Sequence, residues 1–407
     1  MYQNYSDRIP APDDDGYVFA HAVDLCLKTG LASVTIREVA KRAGLSPSGL
    51  LYKYASRETF LESLFDWAIE QDREIWSARS DEMIGDILAA KDLVTLSMAI
   101  VSTQTFLTPA LSSLLWELHL LAQKRSELRP VVSAWRTADL TFWNKAFTAM
   151  QLPPALVPAW ASAVLSLQHV MLLSPNTEIG LCWIDDALQR LFERLFDQPV
   201  SRPGDSPWRQ RAELAISMPS EGAEPTSATP GRILSSASEI ILDQGCAALS
   251  HRAIAKQSGV SLSSTTHHFQ SLDDIMLGAF SRIYSGARQR AEDIQKDLPT
   301  YSRAEFIERI FPSLSGSQKR EQTAAFAMED IMMTASRKPE SRALATALFA
   351  LTGSTTTQLL TRISDTDRTF DRLDGHVYRL TVSGLMTGHD GEALDQLTAP
   401  FLAAFIG

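Results

Sequence analysis

Two stretches of this chain hold most of the residues whose types and spacing suggest chemistry. The first reads GLASVTIREVAKRAGLSPSGLLYKYASRETF from Gly30, and the second GCAALSHRAIAKQSGVSLSSTTHHFQSLDDI from Gly245. At an offset of 215 they match without a gap, and nine of 31 positions are identical: Gly30, Ala32, Arg37, Ala40, Lys41, Gly44, Ser46, Ser48 and Ser56 with their partners. Each carries hydroxyl residues at the starts of short segments, a glycine between them, and cations or histidines around a run of small side chains. Such groups hydrogen-bond and pair with anions. The chain has no G-x-S-x-G, Walker loop, H-E-x-x-H, Rossmann glycine pattern or paired-cysteine site, so no enzyme, metal or cofactor is expected. His267 and His268 are adjacent and would point apart on a helix, which argues against a metal site there.

A rigid frame must present these groups, and the flanking pattern supplies one. Asp13 to Asp15 precede apolar residues at Val18, Phe19, Ala22, Val23, Cys26 and Leu27, and Gly30 ends the run, which predicts a first helix. Thr35 with Glu38 predicts a capping box and a second helix to Ala43, after which Gly44 allows the positive φ of a tight turn. Ser46 is placed to cap a short third helix from Pro47 to Tyr54, with Pro47 where no amide proton is needed. Ser56 would cap a longer fourth helix carrying Phe60, Leu61, Leu64, Phe65, Ala68 and Ile69, and Val39, Ala40, Leu45 and Leu50 are the expected small core. The second stretch repeats the grammar: Thr229 and Pro230 open its first helix, Gly245 ends it, Ser250 opens the second, Gly259 turns and Ser261 caps the third. Two helices joined by a short glycine turn form the unit that lays its second helix in a DNA major groove.

At 407 residues the chain exceeds one ordinary core, and 45% apolar with 21% charged residues fits a multidomain globular protein. A net charge of -10 argues against a surface that binds polyanions everywhere, so local charge decides. Lys28 to Arg57 holds six cations against Glu38 alone, a balance of +5, whereas Asp243 to Leu272 holds +1 and three histidines. The three cysteines, Cys26, Cys182 and Cys246, are far apart and are expected to be reduced. Met1 to Asp15 lacks the pattern of a secretory signal, and no run approaches the 18 apolar residues of a membrane span, so a cytoplasmic location is expected. A weaker echo pairs Trp116 to Arg129 with Glu329 to Arg342 at an offset of 213. Asp197 to Gly231, rich in Pro, Ser and Gly, reads as a linker with a short helix at Trp208 to Ile216. The expected domains are 15–78, 79–198, a linker at 199–228, 229–290 and 291–407.

Both stretches resemble the DNA-reading unit of the TetR family of bacterial regulators, of the form T-x-x-x-(I/V)-A-x-x-A-G-V-S-x-G-x-L-Y-x-H-F-x-S-K-E. The matches are TIREVAKRAGLS with YKYASRE, and SHRAIAKQSGVS with HHFQSLDD. The likeness spans about 15–74 and 229–288 and rests beyond these on length and helical pattern. Ser48 and Ser263 stand where the family has glycine, Leu51 and Thr266 where it has tyrosine, and Leu272 where it has a phosphate-binding lysine. The resemblance implies an all-α fold of two tandem TetR-like units, each a helix-turn-helix DNA-binding domain followed by a helical effector and dimerisation bundle. For the first unit it implies Pro47, Ser48 and Gly49 in the groove and Thr35, Tyr52, Lys53 and Arg57 at phosphates, with Arg37, Ser46 and Tyr54 beside them. For the second it implies Leu262, Ser263, Ser264 and Thr265 facing bases, Ser250, His251, His267 and His268 near phosphates, and Arg252 and Ser261 alongside. The less basic second unit should bind DNA more weakly and with more dependence on pH.

The implied activity is transcriptional regulation, by the family's habit repression, with a double-stranded DNA operator and a small, mainly apolar effector as partners. Two arrangements are open: an intramolecular pseudo-dimer reading an asymmetric operator, or a homodimer of fused chains. A third possibility is a regulator in which only the first DNA-reading unit works. Trp116, His119, Gln123, Trp135, Phe142, Trp143, Phe147 and Gln168 in the first bundle, and Phe326, Glu329, Met333 and Phe349 in the second, are the candidate effector-binding residues. Each of them could equally be ordinary helix-packing core. Leu344 to Leu360 and Val377 to Gly388 are candidates for an interface with the first bundle, matching Pro154 to Leu173 and Cys182 to Phe196.

Overall fold

Short polar residues and glycines decide where the first helices begin and end. A computed structural model describes residues 15–82, 92–173, 177–198, 228–311, 319–386 and 391–407. Helix α1 (Asp15–Thr29) buries Val18, Phe19, Ala22, Val23, Leu25 and Cys26 on one face and stops at Gly30, whose φ of 83° suits glycine. Helix α2 (Ile36–Ala43) is capped by the Thr35 side chain, which accepts the Glu38 amide at 3.2 Å, and closes on Gly44 at φ 68°. Helix α3 (Pro47–Tyr54) starts with the Gly49 amide donating to Ser46 Oγ at 3.0 Å and with Pro47 in its first turn. Helix α4 (Arg57–Glu82) begins with the Thr59 amide donating to Ser56 Oγ at 3.1 Å.

The first bundle follows as α5 (Leu93–Leu107), α6 (Pro109–Lys124), α7 (Arg129–Met150), α8 (Val157–Leu173) and α9 (Thr177–Phe196). Phe19, Val39, Leu50, Phe60 and Leu64 share one buried cluster with Leu111, Leu114, Leu118 and Val132 of α6 and α7. Helices α1 to α4 and the bundle are therefore continuous in packing, and α4 runs through the expected boundary at 78–79. Each fully buried Phe or Leu in this cluster contributes about 1.5–3 kcal/mol.

The second half repeats the order: α10 (Ala228–Gln244), α11 (His251–Ser258), α12 (Leu262–His268) and α13 (Leu272–Asp297). Next comes α14 (Arg303–Glu305), continued by a π-helical turn at Phe306–Ile310. The remainder is α15 (Lys319–Ser336), α16 (Pro339–Leu360), α17 (Arg372–Leu385) and α18 (Gly391–Ile406). Among the described residues there is no strand, and Tyr301 and Ile363 form an isolated parallel bridge.

Long-range contacts recur as well as caps. The Leu31 amide donates to Glu117 Oε1 at 3.3 Å, and the Cys246 amide donates to Asp330 Oδ2 at 2.9 Å, which are the positions the two sequence echoes pair. Arg42 Nη1 donates to Asp24 Oδ2 at 2.9 Å, and the residues 215 further on, Gln257 and Glu239, keep the bond at 2.9 Å although both side chains differ.

The chain divides into two compact units that differ from the expected domains. One comprises residues 1–172 with 380–401, the other 173–379 with 402–407. Helix α9 thus belongs with the second half, because Trp183 packs 5.3 Å from the Phe349 ring and Arg190 and Arg194 bind Asp374. The expected linker and the helix at Trp208 to Ile216 lie outside the described residues, except Ala228, which begins α10.

One expectation about apolar runs is corrected. Pro154–Leu172 has a mean hydropathy of 1.4 over a length sufficient to cross a bilayer, but 78% of that window is buried within the protein. Its hydropathy is that of a core helix, with Val157, Ala159, Trp160, Ala161, Ala163, Val164 and Leu167 all buried.

Candidate nucleic-acid interface

Helix α3 turns Leu50 and Tyr54 inward, four residues apart, and leaves Pro47, Ser48, Gly49, Leu51, Tyr52 and Lys53 exposed. Tyr52 is 94% exposed and Leu51 51%, a large cost in exposed apolar surface for a protein with no partner at this face. Ser48 Oγ lies 2.7 Å from the capping Ser46 Oγ, so the hydroxyl pair is oriented at the helix start. Lys53 pairs with Asp15 and lies 5.6 Å from the Tyr54 ring centroid. Partial burial pushes the Asp15 carboxyl upward, but hydrogen bonds from Lys53 and Tyr54 hold it below its usual value. A phosphate approaching Lys53 must compete with that carboxylate. Arg37 and Lys41 are exposed on α2, while Arg42 is tied to Asp24.

Helix α12 has the same geometry with different groups. Ser261 Oγ caps it by accepting the Ser264 amide at 3.1 Å and lies 2.9 Å from Ser263 Oγ, repeating the Ser46 and Ser48 pair. Leu262, Ser263, Thr266, His267 and His268 are exposed, with the two imidazoles perpendicular at 5.1 Å. Ser250 caps α11 by accepting the Ala253 amide at 3.1 Å, and Arg252 is exposed.

Three expected contacts are placed elsewhere. Tyr54 is buried, edge-on to Phe60 at 5.0 Å, and its hydroxyl donates to Asp15 Oδ1 at 2.5 Å; burial and that carboxylate push its pKa up. Thr265 is fully buried and donates to Leu262 O at 2.7 Å, so it cannot face a base. It occupies the position of Leu50 in the repeat, a core residue by the same sequence argument, and that equivalence was the available signal. Arg57 donates to Val34 O at 2.8 Å and Leu31 O at 2.9 Å, bracing the loop between α1 and α2 instead of pointing outward. The Thr35 half of the expected capping box is present. Leu51 and Thr266, absent from the expected contacts, are exposed on the presented faces, as the four-residue spacing of the buried positions requires.

Residues 18–64 match the family described as bacterial regulatory proteins, tetR family. Residues 18–64 are thus similar to a TetR-type helix-turn-helix unit. No curated protein matches the sequence. The match points to a DNA-binding transcriptional regulator, and it covers the whole of α2 and α3 of the TetR-type unit together with most of α1.

Behind this unit the first bundle encloses a small cavity of about 30 Å³, room for one or two waters. Trp116, Trp135, Trp143 and Gln168, four of the candidate effector-binding residues, line it together with Asp72, Trp76, Gln104, Asp139 and His169. His119, Phe142 and Phe147 are packed in the core outside that lining, Phe147 against Trp160 at 6.5 Å. Asp72 accepts Trp135 Nε1 at 2.8 Å and Trp76 Nε1 at 3.2 Å, and burial pushes its carboxyl up. Burial also raises Asp139 to about 6 although Arg136 Nη2 lies 3.0 Å away, and burial beside Arg136 drives His119 down to about 3. Gln104 Oε1 and Trp116 Nε1 are buried without a hydrogen-bond partner among the described residues. In the second half Phe349 is stacked on His376 at 4.6 Å, and Glu329 and Met333 are buried. The side chains of Gln123 and Phe326, and residues 387–388, lie outside what is described.

Proposed function

We propose that the chain is a transcriptional repressor in which two helix-turn-helix units of one molecule act as an intramolecular pair on an asymmetric operator. The observation that carries the reading is the exposed face of α3, with Tyr52 at 94% exposure, inside a segment that matches the tetR family. The second unit is supported by the recurrence of caps, glycine conformations and two long-range hydrogen bonds at repeat-equivalent positions. A pair of reading helices held by one chain presents two different half-sites about one helical turn apart. Solution mass combined with selection of bound duplexes from a random pool tests this. A monomer that selects two unlike half-sites is the expected result, and a chain dimer that selects a strict palindrome refutes it.

Release by a small effector is supported by the cavity in the first bundle, whose walls carry Gln104 Oε1 and Trp116 Nε1, buried and without a hydrogen-bond partner among the described residues. At about 30 Å³ the cavity must open to admit a drug-sized molecule, and α4, which begins directly after α3, carries the wall residues Asp72 and Trp76. Differential affinity for the opened state is what would couple effector to DNA. Screening ligands by fluorescence quenching of the lining tryptophans tests this part, with Ala161→Phe as the blocked control.

A reading with one working unit is favoured by a specific contrast. Leu272 replaces Arg57 and so cannot brace its loop, and the second unit has less positive charge. Neutralising Arg37 and Lys53, against neutralising Arg252 and Lys256, separates the two: loss only in the first case supports a single working unit.

A further inference from the structure

Helix α9 carries Arg190 and Arg194 one turn apart, and both reach Asp374 near the start of α17. Arg190 Nη1 donates to Asp374 Oδ2 at 2.8 Å, while Arg194 grips the carboxylate with Nε on Oδ1 and Nη2 on Oδ2, each at 2.8 Å. The carboxylate of Asp374 is completely buried, and the arginines are 17% and 16% exposed. Further bonds hold the triad in place: Arg194 Nη2 donates to Thr369 O at 2.6 Å, and the Asp371 amide donates to Asp374 Oδ2 at 2.8 Å. Next to it Trp183 of α9 meets the His376 ring edge-on at 5.6 Å.

A buried ion cluster of this kind adds little net stability, because desolvation offsets attraction. Removing one side, however, leaves a charge in a dry interface, and that is severely unfavourable. Such a cluster therefore discriminates between partners more than it strengthens any one of them.

The repeat offers no second copy of it. By order along the chain, α8 is the counterpart of α17 and α18 is the counterpart of α9. Helix α8, VPAWASAVLSLQHVMLL, contains no Asp or Glu, and helix α18, GEALDQLTAPFLAAFI, contains no Lys or Arg. If the first half paired with another copy of itself, Arg190 and Arg194 would face a helix without a carboxylate. Were the second half to pair with itself, Asp374 would be buried against a helix without a cation. Only α9 against α17 pairs all three groups, and Asp371, 3.1 Å from Arg190, supplies the second negative charge.

We propose that the Arg190, Asp374 and Arg194 triad is a pairing lock, which makes the last helix of the first half accept the second half of the chain and reject a copy of its own half. The proposal rests on the pseudo-dimer reading and adds the residues that enforce it. Duplicated halves begin with identical surfaces, so a charge carried by only one half on each helix distinguishes unlike from like pairing. Fusion in one chain then supplies the correct partner at high effective concentration.

The test uses full-length chains: wild type, Arg190→Asp/Arg194→Asp, Asp374→Arg, and the combination of all three changes. Mass is read by light scattering at micromolar concentration and stability by urea midpoint. Wild type is expected to be monomeric, and each one-sided reversal to lower the midpoint and populate dimers or larger species. The combined variant should recover at least half of the lost midpoint and return to monomer. Mixing the two one-sided chains should give a 1:1 heterodimer in native mass spectrometry, since an acidic α9 then meets a basic α17. The milder pair Arg194→Gln and Asp374→Asn, run as a double-mutant cycle, serves if a reversal does not fold. Additive losses, or no recovery in the combination, overturn the lock and leave the pseudo-dimer standing if wild type is monomeric. A dimeric wild type in which the combination still rescues overturns the intrachain arrangement while the lock holds between chains.

Discussion

Arg57→Leu installs at the start of α4 the residue that the second half itself uses at this position, Leu272. In the first half Arg57 donates to Val34 O and Leu31 O, at 2.8 and 2.9 Å, and so pins the loop that sets α2 against α1. Hydrogen bonds from a charged donor contribute about 1.5–3 kcal/mol each when well buried. Arg57 is only partly buried, and Leu31 O also accepts the Val34 amide at 3.1 Å, so the pair together should contribute about 2 kcal/mol. At about 1.36 kcal/mol per decade this is roughly 30-fold in a local opening equilibrium. Hydrogen exchange followed by mass spectrometry should therefore show α2 amides exchanging roughly 30-fold faster in the variant. Binding to an arbitrary duplex should keep the same slope of log affinity against log salt, because no phosphate contact is lost. If the slope falls by about 0.9 and exchange is unchanged, Arg57 lies on a phosphate and the bracing argument is wrong.

Lys53→Gln should show the reverse pattern, a salt slope smaller by about 0.9 with exchange in α2 unaltered, measured by fluorescence anisotropy across a salt series. Ala55, at φ 61° between α3 and α4, holds a backbone shape that strains any side chain. Ala55→Gly should raise stability by about 0.5–1 kcal/mol in urea unfolding, and a loss would show that the position is unstrained. His119 is held neutral down to about 3, below its unfolded value near 6.5, so its contribution is complete above about 6.5 and is lost as pH falls toward 3. His119→Gln should remove up to one proton's worth of slope, about 1.4 kcal/mol per pH unit, from the acid limb of stability; unchanged limbs in paired denaturation series would contradict its burial as a neutral imidazole.

Punctuation residues made much of the DNA-reading unit legible in the sequence. Thr35, Gly44, Ser46, Pro47 and Ser56 act through their own backbone neighbours, so the limits of α2 and α3 followed from local chemistry alone. The misplaced residues were those whose direction depends on what lies behind the helix. Thr265 is polar but sits where Leu50 does, and Tyr54 carries a hydroxyl yet belongs to the aromatic cluster with Phe19 and Phe60. Arg57 reads as a free cation until the carbonyls of Leu31 and Val34 are seen within its reach.

The amino-acid sequence by itself determined the recurrence of one pattern at an offset of 215, the helix boundaries around each turn, and the positive character of the first stretch, because caps, glycines and local charge act over a few residues. Tertiary structure alone decided that α9 joins the second half and that Asp374 meets two arginines more than 170 positions away in the chain. It also decided how little space the tryptophan-lined cavity leaves. Those outcomes depend on which apolar faces meet and which charges are desolvated together, and contacts between distant segments leave no local pattern to read.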